Sequence, residues 1–253
     1  MTNIILSGAN GRMGRAISQK AAESKTCRIV AGYDINDFCQ NTYPVFTDIS
    51  KCDAEADVII DFSHPSAFET VLAFAKKRKL ALIVATTGLD DEQKDMLFAA
   101  KSEIPVFYSA NMSLGVNLLI NLCKKAASVL EGKFDIEIVE KHHNKKLDAP
   151  SGTALSIADG ISEALKNSPQ YVFDRHSVRR ERKKNEIGIH SVRGGNIVGE
   201  HEVIFAGDDE IISLSHSALS REVFASGALC AAEFMKDKPC GIYGMGELIG
   251  EML

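Results

Sequence analysis

The residues with the clearest chemical potential lie between 137 and 156, in the run EIVEKHHNKKLDAPSGTALS. His142, His143, Lys145 and Lys146 put four groups that can carry positive charge within five positions, directly ahead of Ser151, Gly152 and Thr153. A metal site is a poor match, because adjacent histidines point to opposite faces of a strand and the lysines repel a cation. A solvated charge cluster leaves the SGT triplet unexplained. That triplet precedes a helical run, where hydroxyls and unpaired backbone N–H groups can face an anion. An anionic ligand, held by amides on one side and by histidine and lysine on the other, accounts for every part. A lysine crowded by other cations has its ammonium form disfavoured and is a readier proton donor near neutral pH. The segment therefore reads as an acid for an anionic substrate.

A second constellation opens the chain. GANGRMG places Gly8, Gly11 and Gly14 at the turn from a first strand into a first helix. Glycines there permit a tight turn and close backbone approach, and the helix N-terminus offers N–H groups and a positive dipole end to a pyrophosphate. The spacing is G-x-x-G-x-x-G, looser than G-x-G-x-x-G, so the loop alone is also compatible with a merely tight turn. Asp34 closes the second strand, where a carboxylate can accept hydrogen bonds from an adenosine ribose. That carboxylate welcomes two ribose hydroxyls and repels a 2′-phosphate, and Ile35 supplies no compensating charge. NADH is accordingly expected to serve at least as well as NADPH, with Arg12 the remaining cation that could rescue phosphate binding. ATTG (Ala85 to Gly88) and SANM (Ser109 to Met112) follow the fourth and fifth strands and are expected to border the nicotinamide end of the cofactor.

These groups need a scaffold. Short apolar runs alternate with helical patterns through the first hundred or so residues: strands at Ile4 to Gly8, Arg28 to Asp34, Asp57 to Phe62, Leu80 to Gly88 and Pro105 to Asn111, separated by helices. Continuous apolar strands between helices predict a Rossmann-type doubly wound parallel sheet. After Asn111 the pattern changes. A long amphipathic helix covers Leu114 to Leu130, and FDIEIVEKHH alternates at period two. Thr153 to Lys166 reads as a helix, and three further strands (Glu186 to Gly195, Ile197 to Gly207, Glu210 to Leu219) follow with no helix between them before EVFASGALCAAEFMK returns to helix, which predicts a smaller α+β domain with a mixed sheet. The α/β chain thus reads as a dinucleotide-binding domain (1–112 and 222–253) and a substrate-binding and oligomerisation domain (113–221).

Composition narrows the partners. The 253 residues are 45% hydrophobic and 25% charged, with a net charge of −5, which fits an ordinary globular protein and argues against a general nucleic-acid binder. No apolar run approaches the roughly 20 residues of a membrane helix, so neither nucleic acid nor membrane is expected as a partner. The start MTNIILSGAN has no basic leader or cleavage pattern, and the six cysteines form no C-x-x-C pair or zinc spacing. A cytoplasmic protein with reduced thiols and no metal is the expectation. The basic run RRERKK (Arg179 to Lys184) is expected to be a solvated loop, the alternative being that part of it faces an anionic ligand or a neighbouring subunit.

The segments GANGRMG, DFSHP (61–65), ATTG, EKHHNKKLDAPSGTA (140–154), RGGNIVGEHEV (193–203) and FASGA (224–228) occur in this order. Together they resemble the dihydrodipicolinate reductase family, also called 4-hydroxy-tetrahydrodipicolinate reductase, over nearly the whole chain. The resemblance implies reduction of a cyclic dicarboxylic imine by NADH or NADPH in lysine and diaminopimelate synthesis, by a homotetramer assembled through the sheet of the second domain. It implies that His142 is catalytic, that Lys146 donates the proton, and that His143, Gly152 and Thr153 bind substrate; the reading of the SGT triplet adds Ser151 to the expected substrate-binding residues. It implies cofactor contacts from Gly8, Ala9, Asn10, Gly11, Arg12, Met13, Asp34, Ala85, Thr86, Thr87, Ser109, Ala110, Asn111 and Met112. Ala85 stands where the family usually has glycine, Met112 where phenylalanine is frequent, Ile35 where a basic residue is common, and Asn196 where the family has aspartate. The competing readings are another two-domain nicotinamide dehydrogenase, a dinucleotide-binding sensor without chemistry and, last, a metal-dependent hydrolase.

Overall fold

Three apolar runs lose all exposure to solvent: Ile4, Ile5, Leu6, Val58, Ile59, Ile60, Leu82, Ile83 and Val84 are each 0% exposed in the computed structural model, which describes residues 1–252. Burial on both sides of a strand requires a sheet covered on both faces. The runs are the middle of β1 (Thr2–Ser7), β4 (Val58–Asp61) and β5 (Ala81–Val84), joined in one seven-stranded sheet by β2 (Cys27–Tyr33), β3 (Val45–Phe46), β6 (Pro105–Tyr108) and β12 (Gly241–Tyr243). Every pairing is parallel, in the order β12-β6-β5-β4-β1-β2-β3. Helices α1 (Arg12–Glu23), α6 (Glu222–Met235) and α7 (Met245–Met252) supply one apolar layer with Ile4 and Leu6. Helices α2 (Phe68–Arg78) and α3 (Asp91–Ala99) supply the other with Ile5. The strand order reverses between β1 and β4, so the loops leaving these two strands diverge and open a crevice at their carboxyl ends. These elements form one compact unit, Met1–Leu114 with Glu222–Leu253.

Gly115–Arg221 forms the second unit. Its sheet has five strands in the order β11-β10-β7-β9-β8, made from β7 (Asp135–His142), β8 (Gln170–Val172), β9 (Glu186–Arg193), β10 (Gly199–Ala206) and β11 (Ile211–Ala218). It is mixed: β7 pairs parallel with β9 and antiparallel with β10. Helices α4 (Leu114–Leu130) and α5 (Gly152–Ala164) cover one face, burying Leu119, Cys123, Ile157 and Ile161 against Ile136, Ile138, Ile189, Val203 and Phe205. The other face is open, and the outward positions of β11 are exposed. The two sheets expected from the sequence are thus both present, and no helix among the described residues is long and apolar enough to cross a membrane.

Three strands and one α-helix are additional to those predicted. β3, β8 and β12 span only two or three residues, too few to show a period. α7 contains Gly246 and Gly250, which lower helix propensity, and forms by burying Met245, Leu248 and Ile249. The fourth and fifth strands are shorter than predicted, because ATTG and SANM leave the sheet as turns at its carboxyl edge. The basic run also departs from a purely solvated loop. Arg180 pairs with Glu186, and Arg182, with only 17% of its side chain exposed, reaches Asp135 and Glu137.

Candidate active site

In the first unit, every expected cofactor contact lies just beyond the carboxyl end of a parallel strand or at the start of α1. Gly8 follows β1 with a φ of +79°, and a Cβ there would lie 2.6 Å from the Phe62 carbonyl oxygen. Only glycine fits that conformation and approach. Gly14 has no room either, since its Cβ would lie 2.1 Å from the Gly8 carbonyl oxygen and 2.5 Å from that of Ala9. Gly11 caps α1 with no side-chain hydrogen bond, and the first turn holds no acidic residue. A helix N-terminus without a side-chain cap, beside a loop that has no room for a side chain at Gly8 or Gly14, fits a pyrophosphate. Asp34 follows β2 and accepts from the Asn10 N–H at 2.9 Å, which ties its carboxylate to the rim of the loop. Arg12 and Gly11 are exposed and Met13 half-buried, whereas Ala9 is fully buried.

The other two loops differ in what they turn outward. Thr86 is buried and donates its hydroxyl hydrogen to Asp61 Oδ2 at 2.8 Å, while Thr87 is exposed. Asp61, fully buried, also accepts from the Ser63 hydroxyl at 2.6 Å. It thereby joins DFSHP to ATTG. In SANM, Ser109 donates its hydroxyl hydrogen to the Asn111 carbonyl at 2.8 Å, and Ala110 is exposed. Met112 is 2% exposed and sits in the core of this unit, its carbonyl against Gly227. Ala9, Ala85, Thr86 and Met112 therefore shape the crevice from behind. The outward positions are Gly11, Arg12, Thr87 and Ala110.

In the second unit, His142 ends β7, and its ring is 11% exposed. Its Nδ1 is 2.6 Å from Glu140 Oε2. Glu140 faces the same side of the strand two residues earlier, has no exposure, and receives both terminal nitrogens of Arg193 at 2.8 and 2.7 Å. The backbone N–H of Ser151 donates to Glu140 Oε1 at 3.1 Å. Burial works to raise the Glu140 carboxyl, and the hydrogen bonds from Arg193, His142, Ser191 and Ser151 overcome it, holding the group at about 2. His201, from β10, lies edge-on to His142 at 5.2 Å and within 3.2 Å of the Ser151 hydroxyl. Burial first, and then the charge of His142, pull His201 down to about 4, so it stays neutral at ordinary pH.

The loop after β7 carries the remaining groups. Lys146 Nζ is 2.9 Å from Asp148 Oδ1, so the lysine has an anionic neighbour as well as the cationic ones visible in the sequence. The Lys146 hydrogen bond is also the main cause that lowers the Asp148 carboxyl. His143 is half-buried, and Lys145 is exposed. Ser151 caps α5, its hydroxyl oxygen accepting from the Ala154 N–H at 3.2 Å. At 1% exposure, with its N–H on Glu140, it faces inward and does not present a hydroxyl to a ligand. Gly152 is exposed, with open space where a Cβ would stand, and Thr153 is half-exposed beside it.

Comparison with known proteins shows the family. Residues 2–112 match the family model described as dihydrodipicolinate reductase, N-terminus, and residues 115–249 match the model for its C-terminus. The chain belongs to the dihydrodipicolinate reductase family. It is 53% identical over 249 residues to the 4-hydroxy-tetrahydrodipicolinate reductase of Caldanaerobacter subterraneus, and 49% identical over 249 residues to that of Clostridium novyi, covering 98% of each chain in both cases. A solved dipicolinate-bound dihydrodipicolinate reductase from Paenisporosarcina sp. has the same fold, with a TM-score of 0.83 at 24% identity, over 98% of this chain and 99% of that one. An aspartate dehydrogenase from Thermotoga maritima also aligns over 94% of this chain and 98% of its own, with a TM-score of 0.52 at 12% identity. Fold alone therefore does not separate the reductase family from other nicotinamide dehydrogenases.

Three groups close to His142 have no role in the sequence reading: Glu140, Arg193 and His201. The signal for the first was its position, two residues before His142 on a period-two strand. Arg193 and His201 belong to RGGNIVGEHEV, which was noted for its resemblance alone. Strand register brings them in, with His142 opposite Arg193 and Glu140 opposite His201.

The network has a definite pH signature. His201 is held below its ordinary 6.5, and Glu140 below its ordinary 4.5. In both cases the unfolded chain takes up the proton first, so stability is complete above the ordinary value and is lost as pH falls through the native one. Unfolding free energy, measured with urea, is expected to fall between pH 6.5 and about 4 through His201, then further towards pH 2 through Glu140. In His201→Asn, the loss between pH 6.5 and 4, on the order of 3 kcal/mol, should largely vanish. A variant that keeps the wild-type slope in that range would remove His201 as its source.

Proposed function

We propose that this chain reduces 4-hydroxy-tetrahydrodipicolinate, or its dehydrated ring form, to tetrahydrodipicolinate for lysine and diaminopimelate synthesis. The observation that carries the reading is the sequence of groups after β7: a histidine oriented by an ionised glutamate, then a lysine, then the open N-terminus of α5. A doubly charged acid needs cations and amides in that order along its length. A reduced nicotinamide dinucleotide supplies the hydride, and the glycine loop, Asp34 and the turns after β5 and β6 would hold it. The carboxyl-edge positions that support this are Gly8 to Met13, Asp34, Ala85 to Thr87 and Ser109 to Met112, with the buried members acting through shape.

Gly152 and Thr153 would hold one substrate carboxylate at the start of α5, and His143 would meet the other. Lys146 is the proton donor. Its partner Asp148 is 56% exposed, and an ion pair that open is worth about 0–1 kcal/mol. A substrate carboxylate can therefore exchange for Asp148 with little loss. Hydride addition at the far end of the C=C–C=N system shifts electron density to nitrogen and leaves an enamide anion, and Lys146 delivers the one proton that this anion takes up on its ring carbon, restoring the C=N bond. His142 polarises the substrate or shuttles that proton. Ser151 serves the site by capping α5 rather than by touching substrate.

Asp34 supports NADH use, since its carboxylate repels a 2′-phosphate. The open face of the mixed sheet, with Ile211 69% and Val192 45% exposed, supports assembly to a homotetramer through that face. The six free cysteines and the biosynthetic role support a cytoplasmic location.

Three outcomes are expected. With enzymatically generated imine, Lys146→Ala should slow turnover by about 10² to 10⁴ and leave NADH affinity nearly intact; activity within a few-fold of wild type would remove Lys146 as the donor. Steady-state kinetics with each cofactor should give NADH a kcat/KM at least equal to that of NADPH, and a large NADPH preference would refute the role of Asp34. Sedimentation velocity should find tetramers at assay concentrations, and monomers would overturn the assembly through the open face.

A further inference from the structure

Glu140 stands apart from the groups assigned so far. It is buried from solvent and is not bonded to Lys146, and a buried carboxylate is costly unless its hydrogen bonds are complete. An arginine–glutamate pair would be satisfied by bidentate contact alone. Here Oε2 is shared between Arg193 at 2.8 Å and His142 Nδ1 at 2.6 Å, while Oε1 takes Arg193 and the Ser151 N–H. An ionised carboxylate can only accept hydrogen bonds, so the proton in the contact with His142 belongs to the imidazole. The hydrogen bonds among the described residues engage Nδ1 and leave Nε2 for a ligand. Gly199 makes room for that edge of the ring, since a Cβ there would stand 3.1 Å from Nε2.

We infer that Glu140, clamped by Arg193, is a positioning residue that fixes the His142 proton on Nδ1 and makes Nε2 the atom that exchanges a proton or hydrogen bond with substrate. An exposed neutral histidine side chain in water carries its proton mainly on Nε2, so the site reverses the ordinary preference. The charged and titratable groups facing His142 are Glu140 on its own strand, Arg193 from β9 and His201 from β10; His216 of β11 and Lys146 of the following loop act on His201. Glu140 is the anion in direct contact among them. His201 is held neutral and does not compete for the carboxylate. The catalytic consequence rests on the reductase reading; the tautomer does not.

The test uses the whole chain with ¹⁵N-labelled histidine and long-range ¹H–¹⁵N correlation spectra, His142 being assigned by the signal missing from His142→Gln. In the wild type, His142 should carry a proton on Nδ1, as the neutral tautomer or as imidazolium. A neutral ring protonated on Nε2 alone would overturn the inference. In Glu140→Gln, the proton should move to Nε2 and kcat should drop at least about 10-fold, less than the 10² to 10⁴ lost when a proton-transfer group itself is removed, with the KM for NADH unchanged. An unchanged tautomer, or a wild-type kcat, would overturn it, and a fall in kcat with the tautomer retained would reduce Glu140 to a structural ion pair. If Glu140→Gln does not fold, the wild-type spectrum decides the tautomer. Glu140→Asp, which keeps the anion but withdraws it, then decides the kinetics: a several-fold fall in kcat at constant KM for NADH supports the inference, and wild-type kcat overturns it. Failure of the wild type to reduce the imine with either cofactor would sink the functional reading and leave the tautomer result standing.

Discussion

One buried negative charge organises the second unit. Glu140 has no exposure, yet its carboxylate stays ionised because Arg193, His142 and Ser151 all donate to it. Desolvating a carboxylate costs several kcal/mol, and only a complete set of donors offsets it. Completeness is demanding. It requires β9 to end where Arg193 can reach β7, α5 to begin where the Ser151 N–H points inward, and the ring of His142 to turn so that Nδ1 meets the oxygen. Each requirement fixes one element that carries a group of the site. The charge is thus a constraint on geometry more than a source of stability.

The first unit meets its own constraint through backbone rather than charge. Seven parallel strands end on one edge, and the reversal of strand order beside β1 opens a crevice there. Gly8 and Gly14 admit the turn because a side chain at either would strike carbonyl oxygens. Asp61 is a lesser counterpart of Glu140. Buried at the end of β4, it takes the hydroxyls of Thr86 and Ser63 and so sets the turn after β5. In both units an interior acid defines the shape of a loop whose outer surface is left for a ligand.

The division of labour among the site residues follows from burial. Ser151, Thr86 and Met112 belong to expected binding segments, but they face inward and act through caps, hydroxyl anchors or packing. Lys146, Gly152 and the outer face of the glycine loop remain for contact.

By itself the sequence determined the two kinds of sheet, the glycine loop, the strand-end aspartate and the histidine–lysine segment before α5. These are local signals: a period of two or 3.6, a turn that only glycine permits, charges within five positions. It did not reveal β3, β8, β12 or α7, which are too short or too glycine-rich to carry a period and form by pairing or packing with distant residues. It also could not tell Ser151 the ligand from Ser151 the cap, since that depends on which way a side chain faces. Tertiary structure alone decided the partners of His142. Arg193 and His201 lie more than fifty residues downstream and arrive through the register of β9 and β10 against β7. A register slip of one residue would turn them to the other face of the sheet. What surrounds His142 is set by pairing between strands, and no short stretch of sequence encodes that.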